Sequence, residues 1–446
     1  MSVRFALLAL LAAAPLSAQQ APGTLDLTLG DAARLAARQS AAAEAARYEA
    51  AAAGARVTQS RADLLPSLSG AWSDGQFTLN SASFGLNFPT QPGQPPFLDP
   101  NGQVIGPVRL PDFRLQASVT LFDFAALRRV RAASSGALAA DAQADEVAQQ
   151  AAARAALAYL VLLRAAALVE ARTADSALAA DLLDIARRQL AAGVTVALDV
   201  TRAESQLAEA RADLIAARRD RDLARLDLLR KVNLSLDAPV RATERLDGPA
   251  LQVPSPELDS AVALALGERP DVRAADQSSR AAQDRLAASR AEYLPSLSLF
   301  GNEGVTGKDY THLLRTYDYG VRVSVPLFDG LRRRGRTGEQ ASLLREAQVR
   351  QHDVRQQAEA DVRGALLSMA SEREQVAAVR ERLRLADLEL AQARERFATG
   401  VAGSTDVIIA SESLNRARTR LVDALTNFHA ARIALAQAEG AVTALP

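Results

Sequence analysis

The hexapeptide SVTLFD at residues 118–123 recurs as SVPLFD at residues 324–329, and this duplicated motif decides the fold class. Outward from it, two further motifs recur in the same order. LPSL at 65–68 returns at 294–297, and the pair GV then DV at 193–194 and 199–200 returns at 400–401 and 406–407. Self-similarity in a fixed order indicates an internal duplication. The sequence therefore predicts two repeats.

The distance between equivalent motifs changes along the chain. LPSL recurs after 229 residues, whereas the SV(T/P)LFD motif recurs after 206. The first repeat thus carries about 23 extra residues between these motifs, near residues 91–111. That stretch is rich in proline and glycine, which favour turns. It is predicted to be an extracellular loop. The loop either restricts the outer opening of the barrel considered below or is an unconstrained surface loop.

Residues before each SV(T/P)LFD motif alternate between apolar and polar, which indicates β-strands with one apolar face. The apolar positions are Phe113, Leu115, Ala117, Val119 and Leu121 in the first repeat and Tyr319, Val321, Val323, Val325 and Leu327 in the second. Two interpretations stay open, a half-buried sheet of a soluble protein and part of an outer-membrane barrel. The start of the chain favours the barrel.

Residues 1–18 have the pattern of an export signal. Arg4 gives a positive start, an apolar segment of about ten residues follows, and PLSA at 15–18 offers a cleavage site. A cytosolic amphipathic start is the alternative. Four strands are too few for a barrel with a useful lumen, and an open sheet edge is not tolerated in lipid. Several chains must therefore share one wall, and three would supply about 12 strands.

Long helices account for most of the remaining chain. Residues 125–191 contain no proline, and one helix of this length would extend about 100 Å. Besides residues 1–18, the predicted division has three parts, the first of which includes this long helix. The first repeat at 19–240 has a β-hairpin at 66–121 and further helices at 31–63 and 197–232. A linker or equatorial segment occupies 241–256. The second repeat at 257–446 has a hairpin at 295–327 and helices at 257–292, 331–398 and 403–439.

Heptad spacing predicts how these helices pack. In the last helix, large apolar residues recur every seven positions, with alanine three positions after each. The series is Val407, Leu414, Leu421, Phe428 and Leu435 with Ala410, Ala417, Ala424, Ala431 and Ala438. A strict heptad imposes a left-handed coiled coil. An ordinary coiled-coil rod is the simpler alternative, but it does not explain the inserted hairpins.

Composition excludes several classes of protein. The 52 basic and 52 acidic residues balance, whereas nucleic-acid binders usually carry a basic excess. Cysteine is absent, so disulfides, cysteine metal sites and thiol nucleophiles are excluded. His312, His352 and His429 lie far apart in sequence, which favours solvated side chains over metal ligands. We expect no enzyme, no metal, no cofactor and no nucleic-acid partner.

The duplicated LPSL, LFD and Gly-turn-Asp-Val motifs resemble those of TolC-like outer-membrane efflux proteins, over nearly the whole mature chain. The resemblance implies a mainly α-helical homotrimer with a 12-stranded outer-membrane β-barrel, four strands from each chain, continuous with a coiled-coil α-helical barrel in the periplasm. It implies a passive exit duct in a tripartite efflux or type I secretion system, with a periplasmic adaptor and an inner-membrane pump as partners. The alternative is a periplasmic adaptor or scaffold.

The resemblance also implies a gate at the periplasmic tips of the helices. Gly193 and Gly400 match the tip turns, followed by Val200 and Val407; Asp406 matches an acidic position that rings the pore, with Asp199 as its first-repeat counterpart. Phe397 stands at the position of a gate tyrosine. The chain departs from the family at Ile409, a second acidic position, and at Ala402, an arginine position. Alternatively, both aspartates only complement a helix dipole.

Overall fold

The computed structural model describes residues 25–84, 102–248, 256–399, 401 and 403–446. The predicted export signal lies outside these residues. The main elements in chain order are β1 Leu25–Leu27, α1 Leu29–Gln39, α2 Ala41–Ala62, β2 Ser67–Asn80, β3 Val104–Phe122, α3 Phe124–Ala191, α4 Ala197–Lys231, β4 Val240–Ala242, α5 Leu258–Glu268, α6 Pro270–Ala291, β5 Ser296–Gly307, β6 Leu313–Ser324, α7 Arg332–Ala398 and α8 Ser404–Ala438. The prediction of a mainly helical chain with a β portion is confirmed.

The chain forms two compact units, and neither coincides with a sequence repeat. Unit 1 combines the chain up to Ala45 with Asp145–Arg269 and Gln357–Pro446. Unit 2 combines Ala46–Ala144 with Pro270–Gln356. Both units therefore contain parts of both repeats, because α3 and α7 each run through the two units. The duplication is a property of the sequence rather than of the compact units.

The C-terminal ends of the equivalent helices α4 and α8 have the same cap geometry. Both α4 and α8 end in a left-handed residue, Asn233 with φ 54° and Gly440 with φ 75°, 207 residues apart. The amide after each donates back across the turn, from Leu234 to Leu229 at 2.9 Å and from Ala441 to Ala436 at 2.7 Å. This is the pattern of a Schellman cap, which satisfies carbonyls at the helix end.

The predicted single helices at 31–63 and 257–292 are each broken in two, which corrects the prediction. The break lies at Ser40 in the first repeat and at Arg269 in the second, both with extended ψ. Arg269 precedes Pro270, and a residue before proline disfavours helical geometry. Ser40 has no such neighbour; instead its hydroxyl accepts the amide of Ala43 at 3.3 Å and so caps α2.

One four-stranded antiparallel sheet has the order β2-β3-β5-β6 and belongs to unit 2. β6 ends at Ser324, opposite Ser296, although alternation predicted a strand to residue 327. Pro326 explains the earlier end, since proline has no amide to donate to a ladder. The predicted loop at 91–111 is also corrected where it is described, because β3 starts at Val104 and pairs there with Asn80. Residues 91–101 lie outside the described residues.

The register places most of the large apolar side chains on one face of this sheet. Trp72 lies opposite Phe113, which lies opposite Val305 on the next strand. Leu299 lies opposite Val321 on β6. Serine, threonine, asparagine and arginine side chains occupy most of the other face. The apolar face is exposed, with 60% exposure for Trp72 and 63% for Val321. An apolar face of this kind needs a cover of protein or lipid.

The core of unit 1 consists of packed helices. Val407, Leu414, Phe428 and Leu435 of the heptad series are buried, and so are all five alanines that follow at three-residue distance. Within α3 the structure has a window apolar and long enough to cross a membrane, but 56% of that window is buried inside the protein. Tyr159 lies there, fully buried, and donates to the carbonyl of Leu27 at 2.9 Å. Packing within unit 1 accounts for this apolar window.

Candidate functional site

The helix tips between α3 and α4 and between α7 and α8 form the candidate site, and both belong to unit 1. At the first tip Gly193 adopts φ 74°, which costs an L side chain about 1–2 kcal/mol. The amide of Val194 donates to the carbonyl of Gln189 at 3.0 Å, and that of Gly193 donates to Leu190 at 3.0 Å. These bonds complete a Schellman cap. The local sequence therefore explains why α3 ends here.

The second tip has the equivalent of one of these two hydrogen bonds. The amide of Val401 donates to the carbonyl of Arg396 at 2.9 Å, and each of these residues lies 207 positions after its first-repeat counterpart. Gly400 and Ala402 lie outside the described residues. The prediction that Gly400 is a tip turn therefore stays a prediction.

Asp199 joins the two tips. One oxygen of its carboxylate accepts the hydroxyl of Ser404, the first residue of α8, at 2.5 Å. The other accepts the hydroxyl of Thr195, just before α4. The hydrogen bond from Ser404, followed by that from Thr195, lowers the pKa of Asp199 below its usual value. The carboxylate is thus charged at neutral pH and held by groups from both tips.

Asp406 occupies a different environment from its counterpart. It lies in the first turn of α8, where a negative charge complements the helix dipole, and it is exposed. Among the described residues it forms no ion pair or side-chain hydrogen bond. Ile409, one turn later, is exposed as well. The two aspartates at equivalent positions of the repeats therefore have different surroundings.

Phe397 is a core residue rather than a polar lock. It is 5% exposed and packs in a cluster with Val407, Leu390 and Leu178. Its ring has no hydroxyl, but its backbone carbonyl accepts the side-chain amide of Gln189 at 3.0 Å. Val200 packs in a parallel cluster around Leu207. The five predicted side chains at the tips thus divide into three apolar residues, Phe397, Val200 and Val407, and two acids, of which Asp199 is hydrogen-bonded and Asp406 is not, among the described residues.

Ser404, which brings Asp199 into contact with the second tip, was not predicted from the sequence. Its first-repeat counterpart is Ala197, so the duplication gives no hint of a polar residue there. The available signal was a serine near the start of a helix, where it would normally be assigned to capping. Here its side chain accepts no capping bond and donates to Asp199 instead.

Histidines form no metal site within the part of the chain that is described, where no group of three or more His, Asp or Glu could hold an ion. The expectation of solvated histidines is wrong for His429. This side chain is 8% exposed, and its Nε2 donates to the carbonyl of Leu246 at 2.8 Å. Burial lowers the pKa of His429, so it is a neutral core residue.

Comparison with known proteins identifies several similar chains. The family model for outer membrane efflux proteins matches residues 32–233 and 261–441. The alkaline protease secretion protein AprF of Pseudomonas aeruginosa is 26% identical over 316 residues, which cover 68% of this chain and 63% of AprF. The cation efflux system protein CusC of Escherichia coli is 24% identical over 242 residues, 53% of this chain and 52% of CusC. The chain therefore spans between about half and two thirds of the length of these curated relatives.

Solved structures give the same fold over a larger share of the chain. The outer membrane protein VceC of Vibrio cholerae superposes with a TM-score of 0.76 at 22% identity, covering 92% of this chain and 96% of VceC. The CmeC outer membrane channel of Campylobacter jejuni gives a TM-score of 0.75 at 17% identity, covering 93% of this chain and 85% of CmeC. At these identities the likeness establishes the fold.

Proposed function

The chain belongs to the outer membrane efflux protein family, and we propose that it is the outer-membrane exit duct of a tripartite efflux or type I secretion system. It is a passive channel and not an enzyme. Substrates pass from the periplasm or from a pump to the exterior through its lumen. It resides in the cell outer membrane and extends into the periplasm, in contact with outer-membrane lipid.

The observation that carries this proposal is the sheet of unit 2. Its apolar face carries exposed side chains on β2, β3 and β6 and at Leu299 of β5, and Trp72, Phe113, Tyr317 and Tyr319 lie on that face. A band of apolar and aromatic side chains on one face, with polar side chains on the other, suits a strand wall between lipid and water. A periplasmic adaptor or scaffold has no use for such a face.

The edges of the sheet support assembly as a homotrimer. Its outer strands, β2 and β6, have one neighbour each among the described strands. Unpaired backbone groups are not tolerated in lipid, so the edges must pair with further copies. Three copies of four strands form a 12-stranded barrel, a size within the range of outer-membrane barrels. The long helices of three chains form the periplasmic barrel below it.

The periplasmic tip is the gate. Three copies of Asp406 around a narrow axis concentrate negative potential and attract cations. Asp199 and Ser404 hold the two tips of one chain together, and Phe397 anchors the second tip in the apolar cluster. Opening of the duct requires the tips to separate, so this contact favours the closed state.

A periplasmic adaptor and an inner-membrane pump supply the energy that the duct lacks. AprF is named for secretion of a protease and CusC for efflux of a cation. Relatives with such different cargo indicate that the pump selects the cargo. The class of cargo for this duct is therefore set by its partner.

Fractionation and conductance test the proposal. The full chain is expressed in a Gram-negative host without its own duct of this kind, extracted from outer membranes, and measured by light scattering and in planar bilayers. The expected results are a trimer and discrete ion conductance. A water-soluble monomer that never conducts would contradict the duct and favour the adaptor.

A further inference from the structure

We propose that unit 2 holds a binding site for an amphiphilic organic anion, in a cavity between α2, α3, α6 and α7. The cavity measures about 500 Å³, within the usual range for small-molecule sites. It lies entirely within unit 2. The proposed ligand has an apolar body and a phosphate, sulfonate or carboxylate group.

Four arginines line this cavity, in two pairs related by the duplication. Arg56 and Arg285 lie 229 residues apart, and Arg129 and Arg336 lie 207 apart. These are the separations of equivalent positions in the two repeats. Ser60 and Ser289, again 229 apart, also line it. Each repeat therefore contributes the same set of two arginines and one serine to one cavity.

One pair of arginines is neutralised within unit 2. Arg336 binds Glu292 at 2.7 Å, and Arg129 lies 3.4 Å from Asp123 and 4.0 Å from Asp63. Asp63 and Glu292 are also equivalent residues of the two repeats. These ion pairs hold the walls of the cavity and leave little charge for a ligand.

The other pair has no acidic partner. Across the described residues, Arg56 and Arg285 form no ion pair and no side-chain hydrogen bond, and both are exposed residues that line the cavity. The guanidinium of Arg285 extends to α3, because a Cβ built on Gly136 would lie 4.0 Å from its Nη2. Two uncompensated guanidinium groups on one cavity favour an anion with planar or tetrahedral oxygens.

Small side chains form the floor and decide the shape of the ligand. Ala53, Ala132 and Ala288 line the cavity and are buried, so the floor is apolar and offers no acceptor for the arginines. A bare inorganic ion would leave this floor uncovered. An apolar body on the alanines, with its acidic group between Arg56 and Arg285, uses both parts of the cavity.

Calorimetry with 2-naphthyl phosphate on the detergent-purified, delipidated full chain tests the site. We expect saturable binding that weakens with added salt, and no saturable binding of 2-naphthol, which has the same ring without the anion. Arg56→Gln and Arg285→Gln should each weaken binding about tenfold, the usual effect of a lost charge-assisted bond. Arg345→Gln, on α7 outside the cavity, is the matched control and should bind like the wild type.

Addition of phosphatidylglycerol distinguishes the natural source of the anion. Competition with 2-naphthyl phosphate assigns the site to a lipid headgroup, and lack of competition assigns it to a soluble anion. Equal binding of 2-naphthol, or unchanged binding in both arginine variants with normal circular dichroism, would overturn the proposal. Conductance is measured in parallel, so that loss of the duct and loss of this site are separate results.

Discussion

The hydroxyl of Ser404 donates to the carboxylate of Asp199 at 2.5 Å, across 205 residues of sequence. These residues begin the second helices of the two hairpins, so one hydrogen bond joins both tips of a chain. A hydrogen bond to a charged acceptor is about twice as strong as a neutral one. The contact is thus an element of the proposed closed gate.

Ser404→Ala should loosen that gate. The variant removes the donor from α8 while Thr195 still holds Asp199, so the tips lose this link without loss of the hydrogen bond between Thr195 and Asp199. We expect more frequent openings of single channels in planar bilayers. Thr419→Ala is the control, because that hydroxyl donates within its own helix to Asn415. Equal opening frequencies in both variants would remove the contact from the gate.

Asp406→Ala should weaken cation selectivity or divalent block of the same channels. Asp406 is exposed and without a partner among the described residues, so its charge is available to ions. Reversal potentials in asymmetric salt measure the change. Glu412→Ala removes an acid from the same helix that is already paired with Arg416 at 3.7 Å, and it should have little effect. Unchanged selectivity and block for Asp406→Ala would favour the helix-dipole interpretation.

Gly193→Ala should destabilise the chain by about 1–2 kcal/mol, since φ is 74° and alanine is strained in this conformation. No described residue has an atom within 4 Å of the added Cβ, so the loss is conformational. Gly364→Ala has the same open surroundings but lies inside α7, where alanine should stabilise by about 1 kcal/mol. Thermal melting of the helical signal should therefore move in opposite directions for the two variants.

Arg418→Met should cost about 3 kcal/mol, the usual loss when a buried ion pair is broken. Arg418 binds the carboxylate of Asp175 at 2.9 Å, and the side chain of Asp175 is only 3% exposed. Burial raises the pKa of Asp175, and Arg418 is the main opposing influence. Arg416→Met breaks an exposed pair instead and should cost less than about 1 kcal/mol. Chemical or thermal unfolding measures the loss of stability in each variant. Equal losses for Arg418→Met and Arg416→Met would contradict a role for the burial of Asp175.

Tyr159 should make the fold sensitive to alkali. Burial raises the pKa of its phenol to about 12, from 10.0 for an ordinary tyrosine. The folded state then keeps a proton that the unfolded state releases, so stability falls as the pH rises from about 10 to about 12. Tyr159→Phe should lose about 1 kcal/mol at pH 8, because a hydrogen bond is missing, and should lack this alkaline component. Melting curves between pH 8 and 12 measure both effects, and Tyr293→Phe, at an exposed position, should follow the wild type.

Periodicity predicted the elements that depend on local pattern. Alternation at Phe113 and Leu115 and heptads at Leu414 and Phe428 correspond to an exposed sheet face and a buried helix seam in the structure. Both are regular over many residues, so single deviations do not obscure them. The breaks at Ser40 and Arg269 were missed because each depends on one local bond or one proline.

The candidate site was less accessible to sequence reasoning. Asp199 and Ser404 meet through packing of two hairpins, which no spacing along the chain encodes. Phe397 matched a polar family position, yet its ring packs with Val407 because phenylalanine has no group to bond. Arg56 and Arg285 are ordinary surface arginines in sequence, and the cavity that they line becomes visible only when two repeats pack side by side.

If the sheet enters the membrane as proposed, the outer sides of β2 and β6, which are unpaired among the described strands, set an order of events in biogenesis. A newly exported chain can keep these backbone groups hydrated for as long as it travels through water. In hydrocarbon the same groups would have no partner, so a lone chain is barred from the membrane. Encounter of the copies must come first and insertion second, and any delay between export and encounter exposes the strands to aggregation.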